Sequence, residues 1–328
     1  MSDPFINDPA HATLPDPWER GAPIPLDGLL ERHRFGPLLT AFFALLIGLV
    51  SYMLIGNVAI IVLLVVAGVG LEEMLADLPG IMEEQTAVML SANSIGLVLG
   101  LGVVAFLLTR LHTRRVGAFL RLRKPDAPLM ILAVVGLVAL TPVVQWAGSI
   151  NQMLPLPEFL QTLEEVQIAL IEKVLAGDLS IIFSLTMMAV TPAFCEEFFF
   201  RGYVQRHFER GLGVMWGIVI TGIVFGFFHL RLTQVLPLSL LGIYLAYLTW
   251  RTGSLWVPIV VHFANNALAL AMAEFVKSRP DLDLADLEQV QVPWYLVVVG
   301  VIFFAGVVYV MRQRAEGLVA QASTVAPT

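Results

Sequence analysis

The chain has 328 residues, of which 58% are hydrophobic and 14% are charged, and its formal net charge is −7. Ordinary soluble domains have about 25% charged residues. A protein as apolar as this one could not cover its surface with polar atoms in water, so the composition excludes an ordinary soluble domain. It predicts instead that the lipid bilayer is the solvent. With a single cysteine, Cys195, the chain cannot form an intramolecular disulfide.

The predicted elements begin with a polar, proline-rich segment, residues 1–35, which is typical of a disordered tail with a short interfacial helix near 26–34. A spanning helix needs about 20 apolar residues. Eight stretches meet this requirement: about 37–68, 87–109, 128–149, 179–200, 213–231, 233–250, 254–274 and 293–311. The sequence therefore predicts an all-α, polytopic membrane bundle of about eight transmembrane helices.

Basic and acidic loops alternate between these stretches. Lys and Arg are concentrated after the second, fourth, sixth and eighth spans, whereas acidic residues dominate the first loop. Because cytoplasmic loops carry an excess of Lys and Arg, this pattern predicts that both termini are cytoplasmic. Residues 155–176 are too polar to span, and their apolar residues have helical spacing, so we expect an amphipathic helix on the outer face.

Acidic residues in the fourth span require an explanation, because ionisable groups are costly inside a membrane. Glu196 and Glu197 lie near the end of this span, and Arg201 follows them. Glu197 and Arg201 are four residues apart with the acid first, which favours an ion pair on one helix face. Glu196 lies about 100° away around the helix, so we expect it to point into the bundle.

Two histidines and an asparagine complete the polar set. His229 lies in the fifth span, and His262 and Asn266 share one face of the seventh. The glycines at 211 and 213 predict a turn, from which Glu196 and His229 lie about 25 Å along their helices. His262 lies about 13 Å in from the same side. We therefore expect the carboxylate and both imidazoles to meet at one depth, in the cytoplasmic half of the membrane.

These side chains suit hydrolysis of a peptide bond. A carboxylate and a histidine can activate water, while a second histidine and a carboxamide donate hydrogen bonds to the developing oxyanion. Alternatively, Glu196, His229 and His262 can hold a zinc ion with an open position for water. The usual His-Glu-x-x-His zinc helix is absent. The residues themselves leave the zinc-dependent and the metal-free scheme open.

Three motifs in this region resemble those of a known family. They are Glu196-Glu197-Phe-Phe-Phe-Arg201 (E-E-x-x-x-R), Phe225-Gly-Phe-Phe-His229 (F-x-x-x-H) and His262-Phe-Ala-Asn-Asn266 (H-x-x-x-N). The family is the CPBP intramembrane proteases, which include CAAX prenyl endopeptidases and bacteriocin-processing or self-immunity proteins. The resemblance covers about residues 180–275.

The resemblance implies an intramembrane endopeptidase, either metal- or glutamate-dependent. It implies that Glu196 and His229 activate water and that His262 and Asn266 stabilise the oxyanion. The expected substrate is a membrane protein or a lipidated peptide that reaches the site from the cytoplasmic half of the bilayer, and no nucleic-acid partner is expected. The expected location is a bacterial inner (cytoplasmic) membrane.

The same resemblance gives Glu197 and Arg201 a supporting role in the catalytic set. Together with the composition and the predicted spans, it divides the chain into four parts. These are a disordered cytoplasmic tail (1–35), accessory transmembrane helices with the outer amphipathic helix (36–176), a catalytic CPBP core (177–275), and an outer loop with the last transmembrane helix and a cytoplasmic tail (276–328).

Two other functions fit part of the pattern. Buried Glu and His also form proton relays in transporters, but transporters usually carry internal repeats, whereas these residues all fall between 196 and 266. A non-catalytic scaffold or immunity protein on the same fold usually lacks a catalytic residue, and none is missing here. Cys195 has an apolar setting that favours packing over nucleophilic attack. His112 and His207 lie in basic segments and are predicted to be solvated.

Overall fold

The computed structural model describes residues 13–14, 24–153, 155, 173, 177, 179–279 and 292–325. Their helices, in chain order, are α1 (Leu29–Arg32), α2 (Pro37–Val66), α3 (Leu71–Glu84), α4 (Thr86–Arg110), α5 (Val116–Phe119), α6 (Ala127–Gln152), α7 (Ile181–Leu212), α8 (Val214–Phe228), α9 (Leu232–Thr252), α10 (Trp256–Lys277) and α11 (Trp294–Val325). Two short strands, β1 (Thr13–Leu14) and β2 (Ile24–Pro25), pair antiparallel.

Seven of the described helices are long and apolar enough to cross a membrane: α2, α4, α6, α7, α9, α10 and α11. The predicted polytopic helical bundle is therefore confirmed. The fifth predicted span, 213–231, differs, because α8 has only 15 residues. At about 1.5 Å per residue it is about 22 Å long, short of the roughly 30 Å hydrocarbon core. The helix ends at Phe228 because Leu230 adopts a left-handed conformation, with φ 55°.

Helices α7, α8 and α9 form two consecutive hairpins. Gly213, with φ 80°, makes the predicted turn between α7 and α8. Gly222 and Gly242 then bring α8 against α9: a Cβ on Gly222 would lie 2.4 Å from the backbone nitrogen of Ile243. A Cβ on Gly242 would lie 2.9 Å from the Cα of Gly222. These two glycines therefore allow the backbones of α8 and α9 to pack closely.

Two apolar clusters hold the bundle together. One, which includes Phe119, Phe200 and Phe225, joins α2, α4, α5, α7 and α8. The other, which includes Leu137 and Leu245, joins α6, α9, α10 and α11. Helix α7 contributes to the first cluster and hydrogen-bonds to α9 and α10 of the second, so its polar residues lie where the two clusters meet.

Residues 24–34 are packed against the bundle, and α1 lies within the range 26–34 where the sequence predicts a short helix in an otherwise disordered tail. The Ile24 side chain is buried, and the Gly28 amide donates to the His112 carbonyl. Glu31 accepts hydrogen bonds from the His112 ring and from Arg210, each at 2.8 Å. Burial raises the pKa of Glu31, but these hydrogen bonds outweigh it and hold the pKa below its ordinary value.

The prediction that His112 and His207 are solvated is wrong, because both side chains are buried. Their ring centroids lie 4.7 Å apart, and Tyr203 approaches His207 to 4.6 Å. His112 bridges Glu31 and the Tyr203 hydroxyl. The basic segment after α4 therefore folds over an aromatic cluster that includes Phe119, instead of extending into water.

Three further regions bear on the predicted outline. Residues 71–84, expected to be a loop, form the amphipathic helix α3. Helix α11 continues to Val325, into the predicted C-terminal tail, and Glu316 on it pairs with Arg251. The predicted amphipathic helix at 155–176 lies almost entirely outside the described residues.

Candidate active site

Helix α7 places two adjacent carboxylates inside the bundle. A short α-helical segment, Thr191–Glu197, lies between two π-helical stretches, Leu185–Val190 and Phe198–Val204. Such π turns redirect side chains and are frequent at functional sites. Pro192 lacks an amide hydrogen and cannot donate to the carbonyl four residues earlier. That carbonyl, of Met188, accepts a hydrogen bond from another helix, as shown below.

Glu197 is the centre of a fully buried polar cluster. Its Oε1 accepts a hydrogen bond from Arg201 at 2.7 Å, which is the predicted ion pair, and from His262 Nδ1 at 2.8 Å. Arg201 also donates to the Gly242 carbonyl, and its guanidinium lies 4.1 Å from the Phe225 ring centroid. Because an ionised carboxylate can only accept, His262 carries a proton on Nδ1. Glu197 thus joins α7 to α10 and fixes the His262 ring.

Glu196 points away from this cluster, as predicted, and faces His229. The His229 Nδ1 donates to the Phe225 carbonyl at 2.8 Å, which fixes the tautomer of the neutral ring and leaves a lone pair on Nε2. This Nε2 lies 3.9 Å from Glu196 Oε2. That distance is too long for a direct hydrogen bond, but it leaves room for one oxygen atom that contacts both groups.

His229 owes its position to the end of helix α8. It is the C-cap residue, followed by the left-handed Leu230. A leucine in this conformation stores about 1–3 kcal/mol of strain, which surrounding packing must hold. The sequence placed His229 inside a continuous span; the structure places it at a chain reversal that opens into a cavity.

Asn266 is one turn beyond His262 on α10. Its Nδ2 donates to the Met188 carbonyl at 3.2 Å, in the first π-helical stretch of α7. Its Oδ1 accepts from Asn265 at 3.2 Å. One Nδ2 hydrogen therefore anchors α10 to α7, and the second remains to serve a ligand.

Glu196, His229, His262 and Asn266 all line one cavity of about 710 Å³. Most of its lining is apolar. In the described part of the chain, Glu196 Oε2 is buried without a hydrogen-bond partner. A buried polar atom usually has a partner, so this oxygen is suited to accept a hydrogen bond from a molecule that enters the cavity.

The cavity also contains polar residues that the sequence interpretation missed. Tyr52 and Asn57 come from α2, Asn93 comes from α4, and Arg231 and Gln234 follow His229. The histidines were singled out because polar groups inside a span need an explanation. The same argument applies to Tyr52 and Asn93. Cys195 is buried in the first apolar cluster, close to Gly102, which agrees with a packing role.

Zinc binding by Glu196, His229 and His262 stays a prediction. Within residues 13–14, 24–153, 155, 173, 177, 179–279 and 292–325, no three His, Cys, Asp or Glu side chains are arranged to hold a metal ion. The His262 Nδ1 donates to Glu197, which leaves Nε2 as the ring nitrogen available to a ligand, and Glu196 and His229 provide two further donors. We therefore derive no step of the reaction through a metal.

Comparisons with known proteins agree with the motifs. Residues 178–268 match the family model described as type II CAAX prenyl endopeptidase Rce1-like. This range contains all six predicted site residues, and the match confirms the predicted resemblance to the CPBP family. No curated protein and no solved structure shows significant similarity to the chain.

Proposed function

Because residues 178–268 form an Rce1-like CAAX endopeptidase domain in an integral membrane protein, we propose that this chain hydrolyses a peptide bond with a water molecule held between Glu196 and His229. The observation that carries the proposal is the 3.9 Å separation between Glu196 Oε2 and His229 Nε2 on the wall of the cavity. Both atoms are hydrogen-bond acceptors, and a water molecule has two protons to donate.

The geometry supports a general-base step. A water oxygen about 2.8 Å from both acceptors would meet them at an angle of roughly 90°, within the range that a bound water tolerates. Glu196 takes one proton as the water oxygen forms a bond to the substrate carbonyl carbon. The carbon–nitrogen bond then breaks, and Glu196 returns the proton to the leaving amine. His229 keeps the water oriented, because its own ring is fixed by the Phe225 carbonyl.

The oxyanion that forms in this step needs donors on the opposite side of the substrate carbonyl. With Nδ1 bound to Glu197, the His262 ring can donate from Nε2 only as an imidazolium, and the Glu197 carboxylate stabilises that charge. The second Nδ2 hydrogen of Asn266 is the other donor. Arg201, which shares Glu197 Oε1 with His262, holds the carboxylate in position.

The substrate we propose is a membrane-anchored or lipid-modified segment. Apart from its polar catalytic wall, the cavity is lined largely by apolar side chains, including Met53, Leu90 and Met187. An apolar lining of this kind favours a substrate that carries an apolar segment or a lipid group, which a soluble peptide does not have.

We further propose that both termini are cytoplasmic and that the membrane is a bacterial inner membrane. The short helix α8 does not disturb this topology. Helices α8 and α9 pack against each other as a hairpin. The start of α8 and the end of α9 therefore lie on the same side of the membrane, whether or not the turn between the two helices reaches the other side.

Hydrolysis in H₂¹⁸O tests the proposed function. The wild type and His229→Ala are purified in detergent and given a fluorescence-quenched peptide that carries a lipid, with and without chelator. We expect wild-type products with one ¹⁸O in the new carboxylate, and a rate at least about 100-fold lower in His229→Ala. Equal rates in the two proteins would contradict the proposal. Cleavage that chelator abolishes and zinc restores would replace the metal-free scheme with a metalloprotease.

A further inference from the structure

We propose that Tyr52 and Asn93, both outside the matched domain, form a substrate-binding pair that holds the peptide backbone across the cavity from Glu196. The inference rests on the proposed function, since it assigns a partner to the same site. The Tyr52 hydroxyl donates to Asn93 Oδ1 at 2.6 Å, and both residues line the cavity that contains Glu196 and His229.

The position of Tyr52 is specified by two glycines. A Cβ on Gly100 would lie 2.5 Å from the Cα of Tyr52, and a Cβ on Gly96 would lie 3.2 Å from its ring. Helices α2 and α4 therefore approach each other closely at Tyr52, and its ring has little room to move toward α4. Much of the rest of α2 presents exposed apolar side chains, as expected for a helix that faces lipid. The close approach thus restrains the Tyr52 side chain at the cavity wall.

The pair offers the two functions that a peptide group requires. Its internal bond uses the Tyr52 proton and a lone pair of Asn93 Oδ1. The Asn93 Nδ2 hydrogens remain as donors, and the Tyr52 oxygen remains as an acceptor. A donor and an acceptor side by side complement the C=O and N–H of an extended peptide backbone.

The surroundings favour a ligand over a purely structural bond. Polar groups are costly at membrane depth, and a helix–helix contact built on glycines needs no polar pair to hold it. In mostly apolar pockets, a few placed polar groups fix the orientation of the bound molecule. Met53 and Leu90, from the same two helices, supply the apolar lining beside the pair. Helices α2 and α4 therefore contribute the wall on which the substrate lies before the water between Glu196 and His229 attacks.

The test separates binding from packing. Tyr52→Phe removes only the hydroxyl, and Asn93→Leu removes the amide at similar volume. Tyr244→Phe is the matched control, because its hydroxyl donates to the Ala133 carbonyl at 2.7 Å and it lies in the second apolar cluster. The quenched lipidated peptide is used to measure KM and kcat in each variant. Its dissociation constant is also measured with each substitution added to Glu196→Gln, so that binding is read without turnover.

We expect KM and the dissociation constant to rise about five- to ten-fold in Tyr52→Phe and at least as much in Asn93→Leu, with a smaller change in kcat. Tyr244→Phe should leave both within two-fold. Wild-type KM and dissociation constants in both cavity variants would overturn the inference while leaving the proposed function intact. If the peptide binds but its cleavage does not depend on Glu196, the proposed function is overturned instead. If the peptide binds to none of the proteins, both the inference and the proposed function are overturned.

Discussion

Two neighbouring glutamates should respond to the same substitution in different ways. Glu197 is fully buried, and its Oε1 accepts hydrogen bonds from both Arg201 and His262. Glu197→Gln keeps the shape of the side chain but leaves the buried Arg201 cation without its counter-charge. Removing one partner of a buried ion pair costs about 3–5 kcal/mol. In a protein of this size we expect the melting temperature to fall by about 5 °C or more.

Glu196→Gln should not destabilise the protein. In the described structure Glu196 Oε2 is buried without a hydrogen-bond partner, so replacing the carboxylate by an amide loses no described bond. The melting temperature should therefore stay close to that of the wild type. Activity should nevertheless fall by about 100- to 10,000-fold, since the general base is lost.

Thermal unfolding in detergent and peptide cleavage, measured on both variants, test this pair of expectations. Glu274→Gln, on α10, serves as the control for a glutamate outside the catalytic cluster. Equal melting temperatures for Glu197→Gln and the wild type would refute the role of Glu197 as the buried support. A loss of stability in Glu196→Gln as large as in Glu197→Gln would refute the separation of a reactive and a structural carboxylate.

Further predictions concern packing and pH. Gly222→Leu should lower the melting temperature by several degrees and reduce activity, because the new side chain must displace the Ile243 backbone. Gly306→Leu is the control and should do neither, because nothing lies within 4 Å of a Cβ at that position. The lowered pKa of Glu31 contributes stability that is present above its ordinary value of 4.5 and is lost as pH falls through the lower folded-state pKa. Melting curves from pH 7 to 3 should therefore show a steeper loss in the wild type than in Glu31→Gln, which starts from a lower melting temperature; parallel curves would contradict this.

The sequence predicted those features that depend only on residues close together along the chain. The ion pair between Glu197 and Arg201 follows from four-residue spacing, and the meeting of Glu196 with His229 follows from nearly equal distances to the turn at Gly213. Each needs only helix geometry. The resemblance to the protease family followed from three motifs that all lie between residues 196 and 266.

Features that depend on tertiary packing were not predictable in the same way. The early end of α8 is set by the left-handed Leu230, and no glycine or proline marks that position. His112 and His207 looked solvated because their neighbours are basic, yet the fold places them against Tyr203. Tyr52 was open to prediction, since a polar group in a span calls for explanation, but its partner lies on another helix.

The most direct test of the central claim is the ratio of kcat/KM between the wild type and Glu196→Gln on the quenched lipidated peptide, with both proteins shown to have the same fold by their melting curves. The account predicts a ratio of at least about 100, equivalent to about 2.7 kcal/mol or more of transition-state stabilisation. A ratio near one, with both proteins folded and the peptide cleaved, would show that Glu196 does not activate the water.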